Sequence, residues 1–489
     1  MLPPLGKIYL ILINMKKIST KFISAAVLVS LTTIGLAVKA QTTSLNADAA
    51  PVAQTATATT ATNTDVKAKD GVKADKKPDA NTKGETTEVK AADPDTAWHP
   101  QRRLWGYAFG DEYYAAHTDQ NTGARGPETN YSGVPTYRNA FQFRRVYLGY
   151  DYEITKKFKA ELLLASEPSA NTGVANASTA TVQNGDNLVD GKMAFYIKNI
   201  NLRARDLWNG TDFVIGEMST PGFALNEPGT NAPTSLSETT WSYRSIEKTI
   251  TDFHKNNSYD VGAALQGTFD PSTKNFGYVL MVGKNSQASL LAASAANTGF
   301  YKIFYGDIWA KLFDKKLYID IYADYAKTSA ATATVPGAEH NMLKIFASYT
   351  TKPVTIGAEA YTQTFGNGVL NGTTKTYGDA TAQGLSIWVR GPVVKNLNYF
   401  VRFDSYNPYT DYNSAVTYSA NTNYSSYTPL YKEQFWTGGV DFNPTKNVHF
   451  EPNFWLVDYT DQRAASTAGY VLPDHTLIYR LTFFYTFGK

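Results

Sequence analysis

Charged residues fall on the polar faces of several segments in which apolar and polar residues alternate; the candidates are Arg390, Arg402, Asp404, Arg480, Asp320 and Asp324. Asp320 and Asp324, for example, face away from Ile319 and Ile321 if that segment is extended. Fixed charges on one strand face attract or repel ions in a neighbouring aqueous space. The arginines either form an anion-attracting wall or pair with carboxylates such as Asp404, and the sequence does not choose between these alternatives.

Histidine, a common metal ligand and general base, shows no recognisable pattern. The six His residues are scattered, with no pair at metal-ligand spacing and no HExxH motif. His449 and Glu451 share one face of a predicted strand and could act as base and orienter for a nucleophile, although such a pair more often simply lines a polar surface. Glycine-rich nucleotide loops and GxSxG elbows are absent. No catalytic residue, cofactor or metal is predicted.

Composition restricts the class of protein further. The 489 residues include 33 Tyr and 25 Phe, 18% are charged, and the mean hydropathy is −0.32. This is too polar for a bundle of membrane helices, and strand-forming residues dominate. The net charge of +3 does not indicate nucleic-acid binding. Because Cys is absent, disulfides, thiolate metal sites and a Cys nucleophile are excluded.

The N-terminal part of the chain is predicted to be an export signal followed by a linker. Residues 1–40 contain a basic start at Met15-Lys16-Lys17, an apolar run and the small-residue cleavage site Val38-Lys39-Ala40. Met15 is an alternative start of translation. Residues 41–98 are rich in Ala, Thr, Lys and Asp and predict a disordered periplasmic tether, because they cannot bury enough apolar surface to fold.

The rest of the chain, 99–489, consists of paired alternating segments. Seven short spacers occur within the pairs: 155–157, 206–211, 270–275, 314–316, 350–353, 394–396 and 443–447. Long spacers separate the pairs: 168–191, 219–257, 286–299, 329–339, 366–382, 408–433 and 460–475. This organisation predicts an all-β fold, a transmembrane antiparallel β-barrel of about 16 strands, the even number that bacterial barrels require.

A soluble β-sandwich also alternates in this way. The barrel is favoured by the strict alternation of short and long spacers and by the absence of capped amphipathic helices. An apolar and aromatic border, which includes Ile154, Phe158, Phe269 and Phe276, is expected on the short-turn side only. Such a border matches the interfacial girdle of a membrane barrel.

The longest spacer, 219–257, is the strongest candidate for controlling passage through the barrel. It carries Glu227 and ends near Arg244 and Lys248, which would set the local field if the segment folds into the lumen. The alternative is an ordinary extracellular loop or one that latches onto a neighbouring subunit.

Two stretches resemble a known family. Phe143–Leu162 is similar to the early hairpin, and Val214–Pro221, Trp241–Lys248 and Asp260–Gly262 to the channel-narrowing region, of the phosphate-selective-porin-like proteins of Gram-negative outer membranes, in the version common among Bacteroidetes. The resemblance implies a 16-stranded barrel in the outer membrane, a homotrimer, and conduction of small hydrophilic solutes. Phosphate selectivity does not follow from the resemblance, because the inward arginines are interleaved with carboxylates, and this mixed lining predicts a weak ion preference.

The sequence therefore predicts an outer-membrane porin, without enzymatic activity, for passive diffusion of ions and small hydrophilic solutes, including anions such as phosphate. Its expected partners are membrane lipid and these solutes. A surface adhesin or structural barrel with ligand-binding loops is the alternative, and a barrel hydrolase is a more remote one.

Overall fold

The computed structural model describes residues 99–119, 136–166, 188–189, 192–193, 195–222, 249–254, 258–284, 302–424 and 427–488. The predicted signal sequence 1–40 and tether 41–98 lie outside these residues. Sixteen long strands follow one another: β1 (Arg102–His117), β2 (Asn139–Glu153), β3 (Phe158–Ser166), β4 (Tyr196–Trp208), β5 (Thr211–Ser219), β6 (Tyr259–Thr268), β7 (Phe276–Gly283), β8 (Ile303–Leu312), β9 (Leu317–Ser329), β10 (Ala338–Thr350), β11 (Thr355–Asn371), β12 (Tyr377–Val394), β13 (Leu397–Asn407), β14 (Tyr431–Thr445), β15 (Val448–Asp461) and β16 (Asp474–Phe487).

The sixteen strands form one closed antiparallel ring. Each pairs with its neighbours in sequence, and β1 pairs with both β2 and β16. At this closing seam Gly106 lies opposite Phe487 and His117 lies opposite Leu477. Closure satisfies the backbone hydrogen bonds that an edge strand would leave open. The predicted 16-stranded barrel is confirmed.

The two faces of the barrel differ in chemistry. Outward residues are apolar and exposed, as in β12, where Leu385 and Ile387 are exposed, whereas the inward Ser386 and Trp388 are buried. Similar outward residues occur around the ring, for instance Ile215, Leu280, Ile308, Ile345, Ile356 and Leu481. The period of two residues in each strand produces this separation.

Several inward aromatic rings lie against a glycine on the neighbouring strand. Trp388 pairs with Gly357, and a Cβ atom added to Gly357 would overlap its indole. The same arrangement joins Trp105 to Gly149 and Trp309 to Gly277. Because glycine has no side chain, each tryptophan ring has space to lie against the neighbouring strand.

Short connections join the strands at one rim of the barrel, as predicted. Exposed apolar residues flank these turns: Ile154, Phe158, Phe269, Phe276, Phe313, Phe442 and Phe450. The expectation that such a border occurs on this side only is wrong, because Phe141, Phe304 and Tyr325 are exposed toward the other rim. Aromatic residues at both borders are typical of barrels that cross a bilayer.

One predicted long loop, 366–382, is largely strand. β11 continues to Asn371 and β12 begins at Tyr377, so the connection is only a short turn. Tyr418–Ala420 forms a further short strand against the top of β11. Thr, Gly and Asn dominate this extension, and above the apolar band neither strand face has to be hydrophobic. The apolar alternation on which the sequence prediction depended is therefore missing there.

Helix is confined, in the described part of the chain, to α1 (Ile250–Phe253), whose N-cap Thr249 accepts a hydrogen bond of 3.2 Å from the backbone of Asp252. No helix of that part is long and apolar enough to cross a membrane.

Candidate functional site

The inward face of the barrel carries charges of both signs. Among the described strand residues that are buried, nine are basic: Arg144, Arg145, Lys159, Lys198, Arg203, Lys311, Lys344, Arg402 and Arg480. Fifteen are acidic: Asp111, Asp151, Glu161, Asp212, Glu217, Asp260, Asp307, Asp320, Asp324, Glu359, Asp404, Glu433, Asp441, Glu451 and Asp461. Because a buried charge is costly unless it has a partner, the contacts within this set decide which charges remain available to a solute.

Five of the predicted site residues belong to this buried set, namely Arg402, Asp404, Arg480, Asp320 and Asp324. Arg390 is half-buried near the short-turn end of β12. The remaining three, Glu227, Arg244 and Lys248, lie outside the described residues. Whether any of the nine controls passage is a prediction that the geometry alone does not test.

Arg402 forms a two-pronged ion pair within its own strand. Its Nε and Nη2 atoms donate hydrogen bonds of 2.8 and 2.7 Å to the two carboxylate oxygens of Asp404. Both side chains are buried, and this fork geometry matches guanidinium to carboxylate. The sequence left open whether the arginines form an anion-attracting wall or pair with carboxylates. Arg402 pairs with Asp404.

Arg480 is held by neutral as well as charged groups. Its guanidinium donates to Oδ1 of Asn453 at 3.0 and 2.7 Å and lies 4.1 Å from the centre of the Trp455 ring. Asp111 is 3.8 Å away and also binds Arg144 at 2.6 Å. Two arginines and one carboxylate therefore form a basic group beside the closing seam.

The sequence analysis did not predict Arg144 as an inward residue, because a β-bulge interrupts the alternation there. In the β1–β2 pairing Phe109 lies opposite Arg145, and Gly110 lies opposite Phe143, which leaves Arg144 as an extra residue. Both arginines are buried although they are adjacent in sequence. A bulge reverses the side-chain alternation, and strict alternation would have placed only one of them inward.

The two predicted aspartates of β9 have separate surroundings. Asp324 accepts a hydrogen bond of 2.5 Å from Tyr322, and His340 lies 3.7 Å away. Asp320 contacts the carboxyl group of Asp307 on the neighbouring β8. Two carboxyl groups on adjacent strands concentrate negative charge at this point of the inward face.

The two ends of the predicted 219–257 segment contact the inward face of the barrel. The Lys344 ammonium donates a hydrogen bond to the carbonyl of Gly222, and Thr251 Oγ1 lies 3.5 Å from Glu359 Oε1. The ring of Phe253 is 5.8 Å from that of Phe435 and 6.0 Å from that of Trp455. α1 therefore projects into the interior, although nothing in its sequence identified Phe253 as an interior residue.

A small cleft adjoins this helix. It is lined by Phe253, His254, Asp404, Tyr406, Glu433, Phe435 and Val457. The His254 imidazole stacks on the Tyr406 ring at 3.4 Å, and its Nε2 is 4.0 Å from Glu433. Carboxylate and aromatic groups converge here, a lining suited to a cationic or polar group.

The histidines are arranged differently from the prediction. His449 Nδ1 bonds Asp441 at 2.9 Å, so a carboxylate other than Glu451 orients its ring. His117 and His475, separated by most of the chain, stack at 4.3 Å beside Asp474. Sequence spacing could not reveal this pair, because only barrel closure brings the two residues together.

Comparison with known proteins gives remote structural likenesses. No protein-family model matches the sequence, and no curated protein matches it. Similar solved structures include an anion-selective porin from Comamonas acidovorans, at 12% identity over 80% of this chain and 100% of that chain, with a TM-score of 0.47. The outer membrane channel DcaP of Acinetobacter baumannii is 12% identical over 79% and 97%, with a TM-score of 0.49. Salmonella typhi OmpF in complex with daunomycin is 12% identical over 79% and 97%, with a TM-score of 0.43. Likenesses this remote do not identify a function.

Proposed function

We propose that this protein is an outer-membrane porin through which ions and small hydrophilic solutes diffuse passively. The observation that carries the proposal is the opposite chemistry of the two faces of a closed barrel. Exposed aliphatic side chains such as Ile308 and Ile387 cover the outside, and charged side chains cover the inside. An apolar exterior with a charged interior is what a water-conducting barrel in a lipid bilayer requires.

The outer surface supports membrane insertion on energetic grounds. Fully burying one large aliphatic side chain contributes about 1.5–3 kcal/mol, and many such residues are exposed around the ring. In water this continuous surface would favour aggregation. In a bilayer it faces hydrocarbon, while the aromatic residues at both borders contact the headgroup regions.

The mixture of charges in the interior supports a weak preference between anions and cations, since both signs occur and Arg402 is neutralised by Asp404. The excess of acidic over basic side chains in the buried set argues further against a selectivity for anions. Phosphate selectivity, the finer possibility raised by the resemblance, needs an uninterrupted row of basic groups. The interleaving of carboxylates argues against such a row.

The 219–257 segment is proposed to narrow the channel. Two contacts with inward residues support this role. Gly222, near the start of the segment, bonds Lys344, and Thr251 of α1, near its end, contacts Glu359, so both ends of the segment lie inside the barrel. Glu227, Arg244 and Lys248 would then act on a passing ion. Arg244→Ala should change conductance or selectivity, whereas an unchanged channel would assign the segment to the exterior.

We also propose that the protein forms a homotrimer, as its resemblance to the phosphate-selective-porin-like proteins implies. Its test is the mass of the detergent-solubilised protein by light scattering, after subtraction of bound detergent. A mass of three chains supports the trimer, and a mass of one chain contradicts it.

The aromatic contacts of Phe253 favour a second candidate, a surface adhesin or structural barrel with a blocked lumen. Phe253 lies between Phe435 and Trp455, and such rings could close the passage. On the side opposite the short turns, Tyr409, Tyr412 and Tyr418 pack against one another, and they would present a rigid surface to a partner.

Planar-bilayer recording separates the two candidates. The folded protein, verified by its heat-dependent mobility on gels, is added to a lipid bilayer in KCl. Stepwise, ohmic conductance increments support the porin. Absence of increments from protein verified as folded, with a known porin conducting in the same bilayer, supports the blocked barrel.

A further inference from the structure

Two histidines and an aspartate converge where the barrel closes, and a second aspartate adjoins them. His117 ends β1, and Asp474 and His475 begin β16. His117 Nε2 is 2.8 Å from Asp474 Oδ1, and His475 Nδ1 is 3.8 Å from the same oxygen. One ligand atom from each of the three residues lies within 4.8 Å of the other two.

A fourth possible donor, a second carboxyl group, adjoins this group. The carboxyl of Asp119 lies within hydrogen-bonding reach of the Asp474 carboxyl, and Asp119 is buried. Its backbone N–H donates a hydrogen bond of 3.1 Å to Thr476 Oγ1, which ties residues just beyond β1 to β16. Two imidazoles and one carboxyl close together, with a second carboxyl beside the first, are a donor set that a divalent cation neutralises and organises.

From this convergence we infer that His117, Asp474 and His475, with Asp119 beside them, form a binding site for a divalent transition-metal ion of the Zn²⁺ class. Imidazole nitrogen together with carboxylate oxygen suits Zn²⁺, Cu²⁺ or Ni²⁺, whereas Ca²⁺ and Mg²⁺ prefer ligand sets made of oxygen alone. The bound ion would join the first strand of the barrel to the last.

The geometry requires only small adjustments. Ligands at about 2.0–2.1 Å from a tetrahedral Zn²⁺ are about 3.3 Å apart, while the ligand atoms here are separated by 2.8 to at most 4.8 Å. The stacked imidazole planes differ by 29°, so the rings must rotate to direct both nitrogens at one ion. The side chains of His117 and His475 are 40% and 43% exposed, which leaves them room to do so.

Calorimetric titration of the folded, detergent-solubilised full-length protein with ZnCl₂ tests the site. One Zn²⁺ per chain is expected to bind, and His117→Ala/His475→Ala should weaken binding by more than about tenfold, as loss of metal-site partners does. His449→Ala is the matched control, because His449 also bonds an aspartate but lies near the start of β15, at the short-turn rim opposite this site. This variant should bind Zn²⁺ like the wild type.

Thermal unfolding gives a second measurement that also verifies folding. Zn²⁺ should raise the unfolding temperature of the wild type and of His449→Ala, because an ion bound only by the folded state stabilises it, but not that of the double variant. CaCl₂ should have no such effect at this site. The inference is overturned if Zn²⁺ shows no saturable binding, if the double variant binds it as tightly as the wild type, or if Ca²⁺ binds equally well. The His117–Asp474 contact would then be a hydrogen bond only.

Discussion

Arg402 and Asp404 neutralise each other on the inward face of β13, through two hydrogen bonds between residues two positions apart. The pair contributes little net charge to the interior, although each member alone would contribute one full unit of charge. Removal of one partner therefore exposes the other to a passing ion.

Substitution within this pair should change ion selectivity in opposite directions. Asp404→Asn leaves a positive charge and should raise the chloride-to-potassium permeability ratio, whereas Arg402→Gln should lower it. The expected change is about twofold at low salt, because a unit charge acting through water over roughly 10 Å contributes about 0.4 kcal/mol. Reversal potentials under a KCl gradient measure it. The double variant Arg402→Gln/Asp404→Asn is the control and should resemble the wild type.

Phe253 should influence both conductance and stability. Phe253→Ala removes a buried ring that contacts Phe435 and Trp455, so we expect a higher single-channel conductance and a loss of about 3 kcal/mol in unfolding free energy. Phe269→Ala, at an exposed turn position, should change neither by a comparable amount. A conductance equal to that of the wild type in Phe253→Ala would mean that the ring does not border the passage.

A side chain at position 357 should destabilise the protein while Trp388 is present. A Cβ atom at Gly357 overlaps the indole, and overpacking of this kind costs about 1–3 kcal/mol. Gly357→Ala should therefore lower the unfolding temperature. Gly306→Ala is the matched control, because nothing lies within 4 Å of the position of its added Cβ. Equal stability of the two variants would contradict the steric explanation.

The turn between β6 and β7 should become less stable in acid. Partial burial raises the pKa of the Asp270 carboxyl, but hydrogen bonds from Thr273, Phe276 and Asn275 outweigh it and hold the pKa below its ordinary value. The two backbone bonds measure 2.9 Å from Phe276 and 2.8 Å from Asn275.

Because the folded state favours the charged carboxylate, its stabilising contribution is complete above the unfolded pKa of about 4. It is lost as the pH falls through the lower folded pKa. Asp270→Asn should thus destabilise the protein at pH 7, while at pH 2–3 the difference from wild type should shrink. Chemical unfolding at both pH values checks this. A difference from the wild type that is as large at pH 2–3 as at pH 7 would contradict this explanation.

Much of the barrel was predictable because closure imposes a simple repeat. Alternation and short turns gave the strand number, and the polar positions of Asp320, Arg402 and Arg480 followed from it. Alternation fails where its physical cause is absent. The tops of β11 and β12 extend beyond the apolar band of the outer face, and the bulge at Arg144 reverses the pattern.

Contacts across the interior were not predictable from local sequence. Phe253 reaches its partners on β14 and β15 only through the path of the chain before β6. His117 meets His475 only when the first and last strands pair. Such contacts join residues far apart in sequence, and no spacing rule applies to them.

The fit of Trp388 over Gly357 also has an evolutionary consequence. A change at either position alone lowers stability. A larger residue at 357 displaces the indole, and a small residue at 388 leaves a cavity beside Gly357. We expect homologous chains to exchange the two together, so that substitutions at these positions are inherited as a correlated pair although they lie 31 residues apart.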